Sequence, residues 1–144
     1  MPKIIENLPL RLLEEARRQV EESGFSAVTM RSVAKGCGVG VGTVYNYYPS
    51  KEALVASFML DDWKACVASI EDMAQQAQTL EPVLRTIREE LTRYLEQYDP
   101  IFRDETATSS YTGTTSAYHS ILRSQLAAPI RKFCRDDFTA EFIA

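Results

Sequence analysis

The sequence has few of the residues from which catalytic and metal sites are usually built. Its 144 residues include one histidine, His119, and three cysteines, at positions 37, 66 and 134. The cysteines are widely separated and form no Cys-x-x-Cys pair, so neither a disulfide framework nor a zinc site is indicated. The chain also has no glycine-rich phosphate loop, no His-Glu-x-x-His segment and no nucleophile motif. These absences argue against an enzyme, and we expect no metal and no cofactor.

Long apolar runs are missing as well. No segment approaches the ~18 apolar residues that a membrane-spanning helix requires. The first residues, MPKIIENLPL, lack the long apolar region of a secretory signal. With 45% hydrophobic and 25% charged residues, the composition is typical of a soluble globular protein. We therefore expect a cytoplasmic protein that has no membrane partner.

Charge is unevenly distributed along the chain. The formal net charge is -4, but residues 1–51 hold seven Lys and Arg against five Asp and Glu, which gives +2. Residues 52–144 hold nine against fifteen, which gives -6. The basic excess at the front is small, and charge runs are usually solvated helix faces, so this asymmetry identifies no partner by itself.

Apolar residues recur with the 3.6-residue period of α-helices in nearly every segment, and none alternates like a strand. The sequence therefore predicts an all-α fold. The first helix is expected over about Leu8–Ser23. A second follows the N-cap Thr29, and a short third, over about Gly40–Tyr48, turns Val44 and Tyr48 inward.

Glycine is concentrated between the second and third helices. Four of the six glycines lie from Gly36 to Gly42. Two short helices joined by a glycine-containing turn form a helix-turn-helix, whose second helix enters the major groove of DNA. Because Gly40 and Gly42 carry no side chain, the helix backbone can approach phosphates closely. Thr43 and the tyrosine hydroxyls can then reach phosphates or base edges.

Residues 25–54, FSAVTMRSVAKGCGVGVGTVYNYYPSKEAL, resemble the DNA-binding domain of the tetracycline-repressor-like (TetR) family of transcriptional regulators. The matching motifs are T-x-R-x-V-A at the second helix, G-V-x-x-G-T-V-Y-x-Y-Y across the turn and third helix, and P-S-K-E-A-L at the fourth. In this order they are highly specific. Gly40 replaces the family's usual serine or threonine at the head of the third helix, which removes a capping side chain.

The resemblance implies a set of residues that face DNA, most of them touching phosphates. They are Thr29, Arg31, Thr43, Tyr45, Tyr47 and Lys51. Gly42 and Asn46 complete the predicted DNA-binding set from their place on the third helix. Three alternatives stay open: Tyr47 could pack beside Tyr48, Lys51 could be a solvated lysine, and Asn46 could face solvent instead of pairing with adenine.

A fourth helix of about seven turns follows the N-cap Ser50, and a fifth, entered through Thr79 and Pro82, ends at Pro100. In the resembled family the fourth helix links the DNA-binding domain to a ligand-binding and dimerisation domain. This implies a helix-turn-helix domain at 1–50 and a helical regulatory domain at 51–144.

The last third of the chain is rich in small hydroxyl residues. The segment ETATSSYTGTTSAYHS predicts a loop that leads into a helix near Ser116, and Pro129 is expected to kink or divide that helix. Residues 138–143 begin another apolar pattern, where the chain stops. Compared with the resembled family, the regulatory domain is expected to be incomplete at its C-terminus.

Aromatic side chains in the regulatory part are candidates for a small-molecule pocket. They are Trp63, Tyr94, Tyr98, Phe102, Tyr111, Tyr118 and His119. Each taken alone is more often ordinary core, and only the resemblance favours a pocket.

The sequence thus predicts a ligand-responsive transcriptional regulator. We expect a repressor that binds a near-palindromic DNA operator as a homodimer and is released by a small apolar or aromatic effector. The alternative is a helical protein-binding adaptor that kept the fold without specific DNA recognition, which the acidic total charge and Gly40 favour.

Overall fold

A computed structural model describes residues 6–111 and 115–134 of the chain, with side chains for all of these except 110, 111 and 115–118. This part of the chain is mostly helical and contains no strand, as the 3.6-residue period predicts. The α-helices, named α1 to α7 in chain order, are Leu8–Ser23, Met30–Cys37, Val41–Tyr47, Lys51–Gln76, Leu80–Phe102, Glu105–Tyr111 and Thr115–Ile130. Short 3₁₀ turns lie at Phe25–Ala27 and Arg131–Phe133.

The predicted bounds of α1 and the start of α2 after Thr29 are confirmed. Two other predictions were wrong. Pro100 does not end the fifth helix, because a proline so near the C-terminus removes only one backbone hydrogen bond, and α5 continues to Phe102. Residues 105–111 are not a loop but form α6, which the side chain of Asp104 caps.

Pro129 lies inside α7, one residue before its end, so it does not divide that helix. The apolar pattern of residues 138–143 lies outside the described residues.

The chain folds into two compact units. The N-terminal unit comprises the described residues up to Asp61 together with Pro100–Ser110, and the second unit comprises Asp62–Asp99 and the residues from Tyr111 onward. Residues 51–61 and 100–110 thus pack with the N-terminal helices, although the sequence places a domain boundary at residue 50. Both α4 and α5 contribute residues to the two units.

The core of the N-terminal unit is built from the predicted inward faces of three helices. Leu12 and Ala16 of α1, Val33 of α2 and Val44 of α3 are completely buried. Each helix thus contributes one apolar stripe and leaves its other faces to solvent.

The N-terminus of α2 is tied to α1 through side-chain hydrogen bonds. Thr29 and Ser32 form a capping box, in which each side-chain oxygen accepts a hydrogen bond at 3.0 Å from the other residue's backbone N–H. The Ser32 hydroxyl donates a hydrogen bond to the side-chain oxygen of Gln19 in α1 at 2.5 Å. The Gln19 amide donates in turn to the backbone carbonyl of Ser32 at 3.0 Å. At the other end, α2 stops at Gly38, whose φ of 69° is a left-handed conformation that favours glycine.

The second unit has its own apolar core, to which α4, α5 and α7 contribute. Its buried members include Trp63, Ile70, Val83 and Ile130. The indole N–H of Trp63 donates a hydrogen bond to the side chain of Gln125 at 2.7 Å, so this buried aromatic group has a polar partner.

Lys132 stabilises the C-terminus of α4 within the second unit. Its ammonium donates hydrogen bonds to the carbonyl of Ala74 and, at 3.2 Å, to that of Ala77. The last carbonyls of a helix have no partner inside the helix and carry partial negative charge, so a cation there is favourable.

Replacing Lys132 with methionine is therefore expected to lower the free energy of unfolding by about 1 kcal/mol. Urea denaturation followed by circular dichroism measures this loss. Arg88→Met is the matched control, because it removes one positive charge from an exposed position in the middle of α5. Equal stabilities of the two variants would show that Lys132 does not cap α4.

Candidate functional site

The helix α3 presents a row of polar and aromatic side chains to solvent. Val44, which is 0% exposed, anchors the helix, whereas Tyr45 and Tyr47 are 53% and 49% exposed. Asn46 between them is also exposed. Tyr47 therefore points outward rather than packing into the core, and Tyr48 is half-buried at the end of the helix.

Two cations on α2 extend this exposed surface. Arg31 and Lys35 are both exposed, and residues four apart on a helix share one face. Neither makes an ion pair within the described residues. By contrast, Arg18 is paired with Glu15 at 2.7 Å and with Glu22 at 2.5 Å. The Lys35 side chain was not predicted as a site residue, although its spacing from Arg31 was visible in the sequence.

Two residues of the predicted set, Thr29 and Lys51, also hold the unit together. The Thr29 side chain is exposed, but its oxygen caps α2. Thr43 is half-buried in the first turn of α3. The Lys51 ammonium donates a hydrogen bond to the carbonyl of Phe25 at 3.0 Å and lies 4.3 Å from the centre of the Phe25 ring. Lys51 is thus more than a solvated lysine, since it fastens the start of α4 to the turn before α2.

The packing of the N-terminal unit does not require glycine at position 42. A Cβ atom built there meets no other atom within 4 Å, and the backbone is not in the left-handed region. Glycine inside a helix costs about 1 kcal/mol relative to alanine. At the head of the helix, Gly40 makes no side-chain cap, as predicted from its replacement of serine or threonine. The fold therefore gives no reason for glycine at position 42.

Three of the predicted pocket residues pack against one another in the second unit. The Tyr94 ring lies 5.5 Å from that of Trp63 and 4.8 Å from that of Tyr98, measured between ring centres. The Tyr98 hydroxyl donates to a carboxylate oxygen of Asp62 at 2.6 Å, and the Gln97 amide donates to the same oxygen at 2.8 Å. Burial, followed by the charge of Asp62, raises the pKa of Tyr94 to about 12.

Four predicted pocket residues remain, of which Phe102 and His119 have side chains that the structure describes. Phe102 and His119 are exposed, and Phe102 belongs to the N-terminal unit. The side chains of Tyr111 and Tyr118 lie outside the described residues. The structure therefore places Trp63, Tyr94 and Tyr98 together, and the aromatic pocket itself stays a prediction.

A cleft of about 220 Å³ lies beside the aromatic cluster, and α4 and α5 line it. Its lining residues are Asp62, Ala65, Cys66, Arg93, Tyr94 and Gln97. The lining combines one aromatic side chain with carboxylate, guanidinium and amide groups, so it is more polar than the predicted pocket. Burial raises the pKa of the Cys66 thiol, which keeps the thiol protonated at neutral pH.

The described residues contain no cluster of three or more His, Cys, Asp or Glu side chains suited to holding a metal ion. Among the helices in the described ranges, none is both long and apolar enough to span a membrane.

Comparison with known protein sequences identifies relatives of the N-terminal unit. Residues 12–58 match the family model of bacterial regulatory proteins of the tetR family. The chain is 34% identical over 62 residues to the HTH-type transcriptional regulator UidR of Escherichia coli K12. This match covers 43% of this chain and 32% of UidR. It is 43% identical over 47 residues to the HTH-type transcriptional repressor KstR of Mycolicibacterium smegmatis, and this match covers 33% of this chain and 23% of KstR. The chain thus aligns with a third or less of these relatives' lengths.

Solved structures with the same fold cover most of the chain. A TetR family transcription regulator from Marinobacter aquaeolei VT8 has a TM-score of 0.61 and 24% identity, and the match covers 85% of this chain and 64% of that one. The TetR family repressor FadR of Thermus thermophilus, solved in complex with lauroyl-CoA, has a TM-score of 0.64 and 19% identity over 93% of this chain and 74% of that one. Residues 12–58 thus match the N-terminal, DNA-binding part of the tetR family of bacterial regulatory proteins, and the chain shares the fold of solved TetR family regulators.

Proposed function

We propose that the chain is a transcriptional regulator that presents α3 to the major groove of an operator. The observation that carries this proposal is the division of α3 between a buried Val44 and a solvent face of Tyr45, Asn46 and Tyr47. The two exposed tyrosines each offer a partner an apolar ring and a hydroxyl group, and the hydroxyl groups suit phosphates and base edges.

Contacts to phosphates and contacts to bases divide among the proposed residues. Arg31 and Lys35 neutralise phosphates from α2, and Thr29 and Lys51 add contacts beside their role in the fold. Thr43 and the tyrosines contact phosphates or base edges from α3. Asn46 is suited to pair with adenine through two hydrogen bonds. The phosphate contacts orient the helix, and the base contacts select the sequence.

A helix as short as α3 reads only a few base pairs, so sequence selection requires two copies. We propose a homodimer that binds a near-palindromic operator with half-sites about one helical turn apart. Repression is favoured because KstR, which shares 43% identity with the chain over 47 residues, is a transcriptional repressor. A regulator of this kind acts in the cytoplasm, where bacterial operator DNA lies.

Selection of bound sequences from random duplex DNA is the test of this function. Enrichment of a near-palindromic motif, bound with an affinity that falls steeply with salt, is expected because phosphate contacts release counterions. Arg31→Met and Lys35→Met should each reduce the salt slope by about one. Absence of any salt-dependent duplex binding would contradict the proposal and leave the protein-binding adaptor.

Tyr45→Ala is expected to weaken operator binding by about 1–3 kcal/mol while the thermal midpoint stays nearly unchanged, because the side chain is exposed. Val44→Ala is the matched control on the neighbouring position. It removes two buried carbon atoms and should lower the free energy of unfolding by about 2 kcal/mol. Fluorescence anisotropy with operator DNA and thermal denaturation measure both effects. A large fall in the midpoint of Tyr45→Ala would show that Tyr45 serves the fold.

Gly42→Ala is expected to have opposite effects on stability and binding. Alanine should raise the free energy of unfolding by up to about 1 kcal/mol, since the site is open and the backbone is compatible with a side chain. The added methyl group would stand between the helix backbone and DNA, so the affinity for the operator should fall. Fluorescence anisotropy with operator DNA measures the affinity, and thermal denaturation measures the stability. A variant that is more stable and binds as well as the wild type would show that DNA does not approach Gly42.

We further propose that a small effector binds in the second unit and releases the operator. The cleft beside Tyr94 supports a compact molecule, since about 220 Å³ is less than the ~300–1,000 Å³ of drug-sized sites. An apolar or aromatic part would pack against Tyr94, and a polar group would face Asp62, Arg93 or Gln97. Small-molecule binding has precedent in the fold, because T. thermophilus FadR was solved with lauroyl-CoA.

Titration of the single tryptophan, Trp63, with a library of compact aromatic molecules tests this effector proposal. A true effector should change the fluorescence of Trp63, raise the thermal midpoint and weaken operator binding by a reciprocal factor. Ala65→Leu should abolish these responses with little change in stability, because Ala65 is exposed and lines the cleft. Unchanged binding by this variant, or no response to any compound, would contradict the proposal.

A further inference from the structure

Ser26 and Asp104 are far apart in sequence but hydrogen-bonded in the N-terminal unit. The Ser26 hydroxyl donates to Oδ2 of Asp104 at 2.6 Å. We propose that this bond makes Asp104 a positioning residue for DNA binding, because it holds the turn that leads into α2. The inference rests on the operator binding proposed above.

The Asp104 carboxylate performs two tasks with its two oxygen atoms. Oδ1 caps α6 by accepting hydrogen bonds from the backbone N–H groups of Thr106 at 2.9 Å and Ala107 at 3.3 Å. The other oxygen, Oδ2, accepts the hydrogen bond from Ser26. The Ser26 hydroxyl oxygen also lies 3.2 Å from the hydroxyl oxygen of Thr106. Hydrogen bonds to an ionised acceptor are stronger than neutral ones. These bonds, that from Ser26 first, hold the pKa of Asp104 well below its usual value, so the carboxylate stays ionised near neutral pH.

Ser26 belongs to the 3₁₀ turn Phe25–Ala27, which ends two residues before Thr29. The turn is held from three directions. The Phe25 ring is buried in the core, Lys51 at the start of α4 binds the Phe25 carbonyl, and Asp104 binds Ser26. The turn leads directly to Thr29 and Arg31, which are proposed to contact phosphates.

The bond lies at the protein surface, where a single polar contact adds little to global stability. Its effect is therefore expected to be local. Without Asp104, the turn would open more often than the whole unit unfolds. The start of α2 would then have to be ordered at the moment of binding, and this entropic cost lowers affinity. A rigid α2 matters most for the operator, since binding to arbitrary sequences depends mainly on charge.

Ser26→Ala in the full chain is the decisive variant, because it removes the bond and leaves the cap of α6 in place. We expect an unchanged thermal midpoint, faster hydrogen exchange in residues 25–31 and an operator affinity lower by about 3- to 10-fold. Affinity for a random duplex should change less, so the specificity ratio falls. Ser23→Ala, an exposed serine at the end of α1, is the matched control and should match the wild type.

A double-mutant cycle separates positioning from stability. Asp104→Ala alone also loses the α6 cap, but adding Ser26→Ala to it should cause no further loss of operator affinity if both act through one bond. Operator affinity of Ser26→Ala equal to that of the wild type, or lowered only in step with the midpoint, would overturn the inference and leave the proposed function standing. Failure of the wild-type chain to bind any duplex would overturn both proposals.

Discussion

A helix of seven residues does not persist by itself in water, so α3 depends on the burial of Val44 in the core of the N-terminal unit. One anchoring side chain in two turns leaves most of the helix surface uncommitted. Tyr45, Asn46 and Tyr47 occupy that surface and contribute little to the fold. The same constraint that makes α3 dependent on its neighbours therefore leaves it able to carry a recognition surface.

The short helix α3 packs against α2, and residues of α1 and α4 hold α2 and the turn before it in place. Gln19 and the capping box at Thr29 fix the start of α2, and Lys51 fixes the turn before it. Thr29 and Lys51 thus serve both the fold and the proposed DNA contact. Arg31 and Lys35 are different, because no acidic partner holds them in the described structure. The acidic total charge of the chain is a poor guide to such a surface, since binding responds to the local charge that a phosphate meets.

In the second unit, aromatic packing and the proposed effector site share a boundary. Tyr94 contacts Trp63 on one side and lines the cleft on the other. Much of the aromatic surface expected in a pocket is used in packing, and polar groups of α4 and α5 supply the rest of the cleft. A ligand there would press on the same ring that holds the core together, which is a physical route from binding to a change in stability.

The all-α fold, the bounds of α1 and the helix-turn-helix were predictable, because helical periodicity, caps and glycine turns are local signals. The sequence by itself also predicted the inward position of Val44, since an apolar residue there lies on the face that a two-turn amphipathic helix buries. It did not predict α6, because the many Ser and Thr residues that follow the cap Asp104 favour a loop. It did not predict the role of Lys51 either. Whether Tyr94 and Tyr98 line a pocket or fill a core depended on the residues packed against them. The bond between Ser26 and Asp104 was decided by the tertiary structure alone, because no local pattern relates two residues that lie 78 positions apart in the sequence.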